Sequence, residues 1–361
     1  MPPDDGAVAR PAVNLDDPGA LERADPHGAR EALAGFPEQC RRALALRPSG
    51  SSLGPRPRLV VVAGMGGSAA SGDLLAACAA DRLDVPVLVH RGYELPAVAG
   101  PGTLVIVSSY SGETAEALSA AETALARGCR LAVITSGGRL RALAERSGLV
   151  RVDVPPGLMP RMALGWLFFP LLALLRLADI LVLKDEEVQE ALHLVAALGA
   201  ELEPARAAAH NEAKRLASDI GARLPVVYGG PVTGTVAYRW KTDLEENAKA
   251  FAVAGTLPEM NHNEIEAWSG PLARTLHLVL LRDRAESPEI ARRFALLREL
   301  IGGSAGGVSE AWARGSGVLA RLLSLVYLGQ WTSFYLAVRR GVDPWSVPVL
   351  DALKGRLGAP R

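Results

Sequence analysis

Between residues 59 and 155, apolar runs alternate with helical patterns. "LVVVAG" (59–64), "VPVLVH" (85–90), "TLVIVSS" (103–109), "RLAVITS" (130–136) and "LVRVDVP" (149–155) read as strands. Between them, residues 68–80, 114–127 and 138–145 carry helical spacing. Strands that are apolar on both faces and alternate with helices predict a parallel sheet covered on both sides, a doubly wound α/β domain. A helix over about 28–45 precedes it. An apolar segment at 162–182 and a charged, Ala-rich helix at about 185–218 follow. The alternation then restarts with a strand at 224–230, a helix at 232–250, a strand at 275–283 and a helix at 291–300. A long apolar helix, 318–341, ends at Gly341. The pattern predicts an α/β fold of two domains of one plan, residues 28–183 and 184–361. Residues 1–27, rich in Pro, Gly and Asp, are expected to form a flexible N-terminal arm.

The length of 361 residues agrees with about two domains. Lys+Arg and Asp+Glu both number 39, so the net charge is zero and nothing suggests a nucleic-acid partner. Cys40, Cys78 and Cys129 are widely spaced without a CxxC, which fits reduced, cytoplasmic thiols and gives no zinc signature. The opening residues lack the apolar core of a signal peptide. The strongest apolar run, 162–175, contains Pro170 and is shorter than the ~20 residues a membrane span needs. The expectation is a cytoplasmic protein without membrane or metal.

One turn changes the picture. "SSYSGETAEAL" (108–118) crowds Ser108, Ser109, Ser111 and Thr114 around Gly112 where a strand gives way to a helix. Open α/β sheets bind ligands beyond the carboxyl ends of their strands. A helix starting there offers free N–H groups and the positive end of its dipole. An N-cap needs one hydroxyl; a cluster reads as a cradle for an anion of phosphate size. A second turn, "GMGGSAASGDLL" (64–75), adds Gly67 and Ser68. Gly64, Gly66 and Ala69 match the dinucleotide spacing GxGxxA, but His90 and Arg91 stand where the ribose-binding acid belongs. NAD loses ground, Arg91 leaves NADP open, and Ser68 instead joins the hydroxyls of 109–114 around one small phosphate.

Together the two turns resemble a SIS (sugar isomerase) domain. The whole chain is similar to the bifunctional phosphoglucose/phosphomannose isomerase family through "GLMPRMALGW", "RWKTDLEENAKAFAVAGTLPEMNHNEIEAW" and "SFYLAVRRGVDPWSVPVLDALKGRL". The similarity spans roughly residues 60–358. It implies two SIS domains and a cofactor-free isomerase of fructose 6-phosphate with glucose 6-phosphate and/or mannose 6-phosphate, working through a cis-enediol. It implies Glu246 as the base and Arg161 facing the enediolate. It implies His262 as the ring-opening group, donated across a homodimer interface, and Lys354 as a further active-site residue.

From the residues alone, Asp243, Glu245 and Glu246 are a solvated helix face. Lys354 reads as an exposed cation of a C-terminal helix, Arg161 before its apolar helix is either a surface residue or a site residue and position alone does not decide, and His262 reads as a capping or core histidine, although "NHNE" is polar on both sides. The chemistry itself asks for a partly desolvated carboxylate within reach of a C–H, and for a permanent cation beside the developing charge. The zinc-dependent mannose-6-phosphate isomerases need a His/Glu ligand set, and the six histidines here form no HxH or HxxxH. A non-catalytic sugar-phosphate-binding SIS protein would keep Ser68, Ser109, Ser111 and Thr114 without needing Glu246, Arg161 and His262. An NADP-linked oxidoreductase is the third reading.

The chain departs from the family at three places. The family's Asn-Glu-Asn is Glu245-Glu246-Asn247 here, and Gln330 stands where an aspartate is expected. The family's Asp-Pro-Thr-Pro-Val is Asp343-Pro344-Trp345-Ser346-Val347. The family's threonine makes room for both C2 epimers. Trp345 in that register predicts unequal use of the two aldoses, and Ser346 takes the threonine's role if the register shifts by one.

Overall fold

The computed structural model describes residues 13–358. The first part of the expected arm, residues 1–12, lies outside them. Residues 13–27 are not a loose arm. Asp17 accepts from the Gly19 N–H at 2.9 Å and Pro18 opens helix α1 (Pro18–Ala24), a sound helix start. Leu15 and Leu21 are buried, and Asp16 pairs at 2.8 Å with the ammonium of the fully buried Lys214. The Pro, Gly and Asp content is capping and turn chemistry. Helices α2 (Ala29–Ala34) and α3 (Phe36–Ala45) follow.

The first sheet holds β1 (Leu59–Ala63), β2 (Val87–His90), β3 (Thr103–Ser108), β4 (Arg130–Thr135) and β5 (Val150–Asp153). Its order is β2-β1-β3-β4-β5, and every pairing is parallel. Helices α4 (Gly66–Ala79), α5 (Ala115–Ala126) and α6 (Gly138–Arg146) connect the strands. Both faces are covered, which is why β3 is buried along its whole length.

A short 3-10 turn at 160–162 leads into α7 (Leu164–Arg176), with Pro170 inside it. The single helix expected over 185–218 is two, α8 (Asp185–Leu202) and α9 (Glu212–Ile220). Asn211 explains the restart. Its Oδ1 caps the Lys214 N–H at 3.1 Å, while its Nδ2 donates to the Leu202 carbonyl at the end of α8 at 2.9 Å. Pro204 lies in the break.

The second sheet holds β6 (Leu224–Gly229), β7 (Val253–Thr256), β8 (Leu276–Arg282) and β9 (Gly307–Trp312) in the order β7-β6-β8-β9, again all parallel. With it come α10 (Gly234–Ala248), α11 (Glu264–Ala267), α12 (Pro288–Ile301), α13 (Val318–Arg340) and α14 (Pro348–Gly358). β7 and β9 were not expected from the sequence. They are half-exposed edge strands without a continuous apolar run.

One core joins the halves. Side chains of α3, α7, α8 and α13 pack in a single cluster with Val60 and Ile106 of the first sheet and Val227 and Val279 of the second. α13 is buried on all sides over most of its 23 residues, as a central helix of a large core is. No helix among the described residues is long and apolar enough to cross a membrane.

Candidate active site

The hydroxyl turn lies at the carboxyl end of β3. Neither α4 nor α5 is closed by a capping side chain, and Thr114, at the N-cap of α5, spends its hydroxyl elsewhere. Thr114 Oγ1 accepts from Ser109 Oγ at 3.0 Å, and Ser109 Oγ accepts from the Gly112 N–H at 3.2 Å. Ser68 Oγ accepts from the Tyr110 N–H at 3.2 Å and so ties the first turn of α4 to this loop. Ser111 is exposed and accepts from the Glu113 N–H at 3.3 Å. Gly112 has φ +71°, and a Cβ there would stand 1.9 Å from the Gly137 carbonyl, so only glycine closes this loop. Two helix N-termini without side-chain caps meet here, with buried Ser68 and Ser109 between them, an arrangement whose free N–H groups and dipoles favour negative charge.

Gly67 connects this cradle to the charges. A Cβ at 67 would meet the Pro160 carbonyl oxygen at 2.6 Å and Arg161 Cα at 2.9 Å. The bare backbone lets α4 lie against the turn that carries Arg161. That side chain is 3% exposed. Its Nε donates to Asn247 Oδ1 at 2.7 Å, its Nη1 to Glu246 Oε2 at 3.1 Å, and its Nη2 to the carbonyls of Pro344 and Trp345 at 2.8 and 2.7 Å. A guanidinium has five N–H donors, so one Nη1 hydrogen is left for a ligand. Burial presses the Arg161 pKa down and the carboxylates of Glu246 and Asp243 oppose it; a guanidinium stays charged under such pressure.

α10 supplies the other half. Residues 239, 243, 246 and 247 share a helical face. Arg239 holds Asp243 at 2.8 Å and donates to the Arg161 carbonyl. Burial pushes the Asp243 carboxyl up, to about 6, although Arg239 draws it back. Asn247 Nδ2 donates to Ser333 Oγ at 2.8 Å, and Ser333 donates to the Gln330 carbonyl at 2.7 Å. The Gln330 side chain is buried, and its Oε1 has no partner among the described residues. Glu245 turns away to Lys241 at 2.8 Å, so its departure from the family pattern does not touch the Arg161–Glu246 pair.

The structure thus brings together Gly67, Ser68, Ser109, Ser111, Thr114, Arg161 and Glu246. His262 and Lys354 of the same chain make no hydrogen bond or ion pair with these residues among the described residues. His262 is exposed on a 3-10 turn after β7, and Lys354 is exposed on α14. Trp345 does not stand free beside the carboxylate. Its side chain packs against the main core while its carbonyl serves Arg161. Ser346 is also engaged, donating to the Asp343 carboxylate. Arg91, the residue that kept NADP open, is paired with Asp73 in a cavity of about 130 Å³ between α4 and α10.

Asn247, Ser333, Lys249 and Asp343, which sequence reasoning did not single out as candidates, form the hydrogen-bonded surroundings of the Arg161–Glu246 pair. Asn247 and Lys249 lie within "LEENAK", but nothing in that string announces the distant segment they hold. Lys249 Nζ donates to the Asp343 carbonyl at 2.5 Å.

Residues 209–357 match the bacterial phospho-glucose isomerase C-terminal SIS domain, and residues 56–146 match the SIS domain. Both halves are SIS domains, each a parallel sheet flanked by helices. A bifunctional phosphoglucose/phosphomannose isomerase from Caldicellulosiruptor bescii is 38% identical over 82% of this chain and 89% of its own length. One from Thermoplasma acidophilum is 33% identical over 82% of this chain and 89% of its own length. The crystal structure of a glucose-6-phosphate isomerase like protein from Thermus thermophilus shares the fold, with a TM-score of 0.64 at 22% identity over 95% of this chain and 99% of that one. Similarity of this depth, along both halves, establishes that the chain belongs to the bifunctional phosphoglucose/phosphomannose isomerase family.

Proposed function

We propose that this protein interconverts fructose 6-phosphate with glucose 6-phosphate and/or mannose 6-phosphate by proton transfer through a cis-enediol. The 6-phosphate occupies the cradle of Ser68, Ser109, Ser111 and Thr114. The open-chain sugar runs past Gly67 to Arg161 and Glu246. The Glu246 carboxylate removes the C2 proton of the aldose, the C2 electron pair forms the C1–C2 double bond, and the carbonyl pair moves to O1. The spare N–H of Arg161 stabilises that charge. Glu246 then returns its proton to C1, a proton passes from O2 to O1, and the ketose results. The two aldoses differ in which face of C2 loses or gains the proton.

His262 of the partner subunit opens the ring, which makes the active form a homodimer. Support for the dimer is the exposure of His262, which follows edge strand β7, whose first residue Val253 is 41% exposed and which Phe251, 83% exposed, precedes. Lys354, exposed on α14, approaches the sugar only in the assembled enzyme. Free, buried Cys40, Cys78 and Cys129 support a reducing, cytoplasmic setting.

The observation that carries this reading is the Arg161–Glu246 pair at 3.1 Å beside the hydroxyl cradle. The test is a coupled assay offering all three hexose phosphates, with and without a chelator. Turnover that the chelator leaves unchanged is expected. Thermal protection by hexose phosphates without turnover would instead identify a non-catalytic sugar-phosphate-binding protein, and protection by NADP an oxidoreductase.

A further inference from the structure

Lys249 follows the last residue of α10 in a left-handed backbone conformation, φ 50° and ψ 37°. Among the described residues, only Asp179 is another non-glycine residue at positive φ. Helices often end in this conformation, but on glycine, because a Cβ is penalised there. A lysine kept in a strained position points to a task for its side chain.

The Lys249 ammonium donates to the carbonyls of Glu246 at 3.0 Å, Asn247 at 3.4 Å and Asp343 at 2.5 Å. The first two belong to the C-terminal end of α10, where carbonyls lack helical partners and the dipole favours a cation. The third opens the turn 343–346. The next two carbonyls of that turn, Pro344 and Trp345, accept from Arg161 Nη2. Three successive carbonyls are therefore gripped by two cations, one from each domain. The Asp343 carboxylate closes the turn by accepting from the Trp345 N–H at 2.8 Å and from Ser346, with His27 Nδ1 at 2.9 Å. An ammonium has three donors, and Lys249 spends all three on backbone, so none remains for a sugar.

We propose that Lys249 is a positioning residue for the isomerase: its ammonium fixes the 343–345 carbonyls that orient the Arg161 guanidinium, so that the spare N–H stays aimed beside Glu246. This rests on the isomerase reading above. Burial and the nearby Arg161 charge both press the Lys249 pKa down, and the carboxylates of Asp343 and Glu246 oppose them. Small displacements of a transition-state donor are expensive in rate, so the clamp acts on turnover more than on binding.

Lys249→Gly separates backbone from side chain. It relieves the left-handed strain and removes the ammonium. A Tm equal to or above wild type is expected, with kcat lowered about tenfold or more and KM for fructose 6-phosphate little changed. Lys249→Arg, which keeps a cation, recovers part of kcat. Amide hydrogen exchange over residues 342–347 should be faster in Lys249→Gly. That readout needs no turnover, so it separates the two failures. A wild type without isomerase activity would sink the functional reading, whereas unchanged exchange would sink the clamp. Wild-type kcat in Lys249→Gly, or a Tm well below wild type, would also overturn the proposal, the latter by making the ammonium a support of the whole fold.

Discussion

Nη1 of Arg161, just beyond the last strand of the first domain, lies 3.1 Å from Oε2 of Glu246 in the second. The arginine is almost wholly buried and the glutamate side chain is 29% exposed. Removing the partner of a buried charge is costly, so the pair couples the domains at the point where they meet. Only Oε2 of the carboxylate is engaged by Arg161. A carboxylate anchored through one oxygen can present the other to a C–H.

The cradle should govern affinity. Ser109→Ala, Ser111→Ala and Thr114→Val are expected to raise KM for phosphorylated sugars, each by about 1.5–3 kcal/mol, the worth of a hydrogen bond to a charged group. Ser111 is exposed and should sit at the lower end. Steady-state kinetics check this. Unchanged KM in all three would place the phosphate elsewhere.

Trp345 should govern stability. With its indole against the main core and its carbonyl on Arg161, Trp345→Thr is expected to cost about 2–3 kcal/mol of folding free energy from lost aromatic packing. The ratio of catalytic efficiencies for glucose 6-phosphate and mannose 6-phosphate should stay as in wild type. Denaturant unfolding and parallel kinetics measure both. A changed ratio at full stability would restore the steric role that sequence register suggests.

Much of the fold was legible because a parallel sheet buried on both faces writes itself as continuous apolar runs. β3 and β4 are plain for that reason, whereas β7, exposed on an edge, leaves no such run. The break between α8 and α9 hung on Asn211, whose cap is a single side chain within a helical pattern. In the site, the hydroxyl turn was readable from the residues, but Glu246 and Arg161 only through family resemblance. Arg161 is held by the Pro344 and Trp345 carbonyls, and a backbone acceptor carries no signature of residue type.

Asp243 gives the pH dependence a sign. Burial raises its carboxyl from 3.8 to about 6 in the fold. The native state therefore holds this proton where the unfolded chain has lost it. The contribution is fully present below about 4 and is lost as pH rises toward 6, by at most roughly 1.4 kcal/mol per pH unit. Wild-type stability measured against Asp243→Asn should fall across that window. A flat difference would mean the carboxyl titrates as an exposed aspartate does.

The dimer has its own test. If His262 serves the partner subunit's site, then mixing Glu246→Gln with His262→Ala should regenerate activity in mixed dimers once subunit exchange is demonstrated. Activity that stays absent after proven exchange would contradict donation across the interface.

The most direct measurement is turnover and binding in Glu246→Gln. The substitution keeps size and a hydrogen-bond acceptor for Arg161 but removes the proton acceptor. Tight binding of fructose 6-phosphate should persist while isomerisation falls by three orders of magnitude or more, about 4 kcal/mol of barrier. Isomerisation within about tenfold of wild type, a barrier change of only ~1.4 kcal/mol, would contradict the assignment of Glu246 as the base.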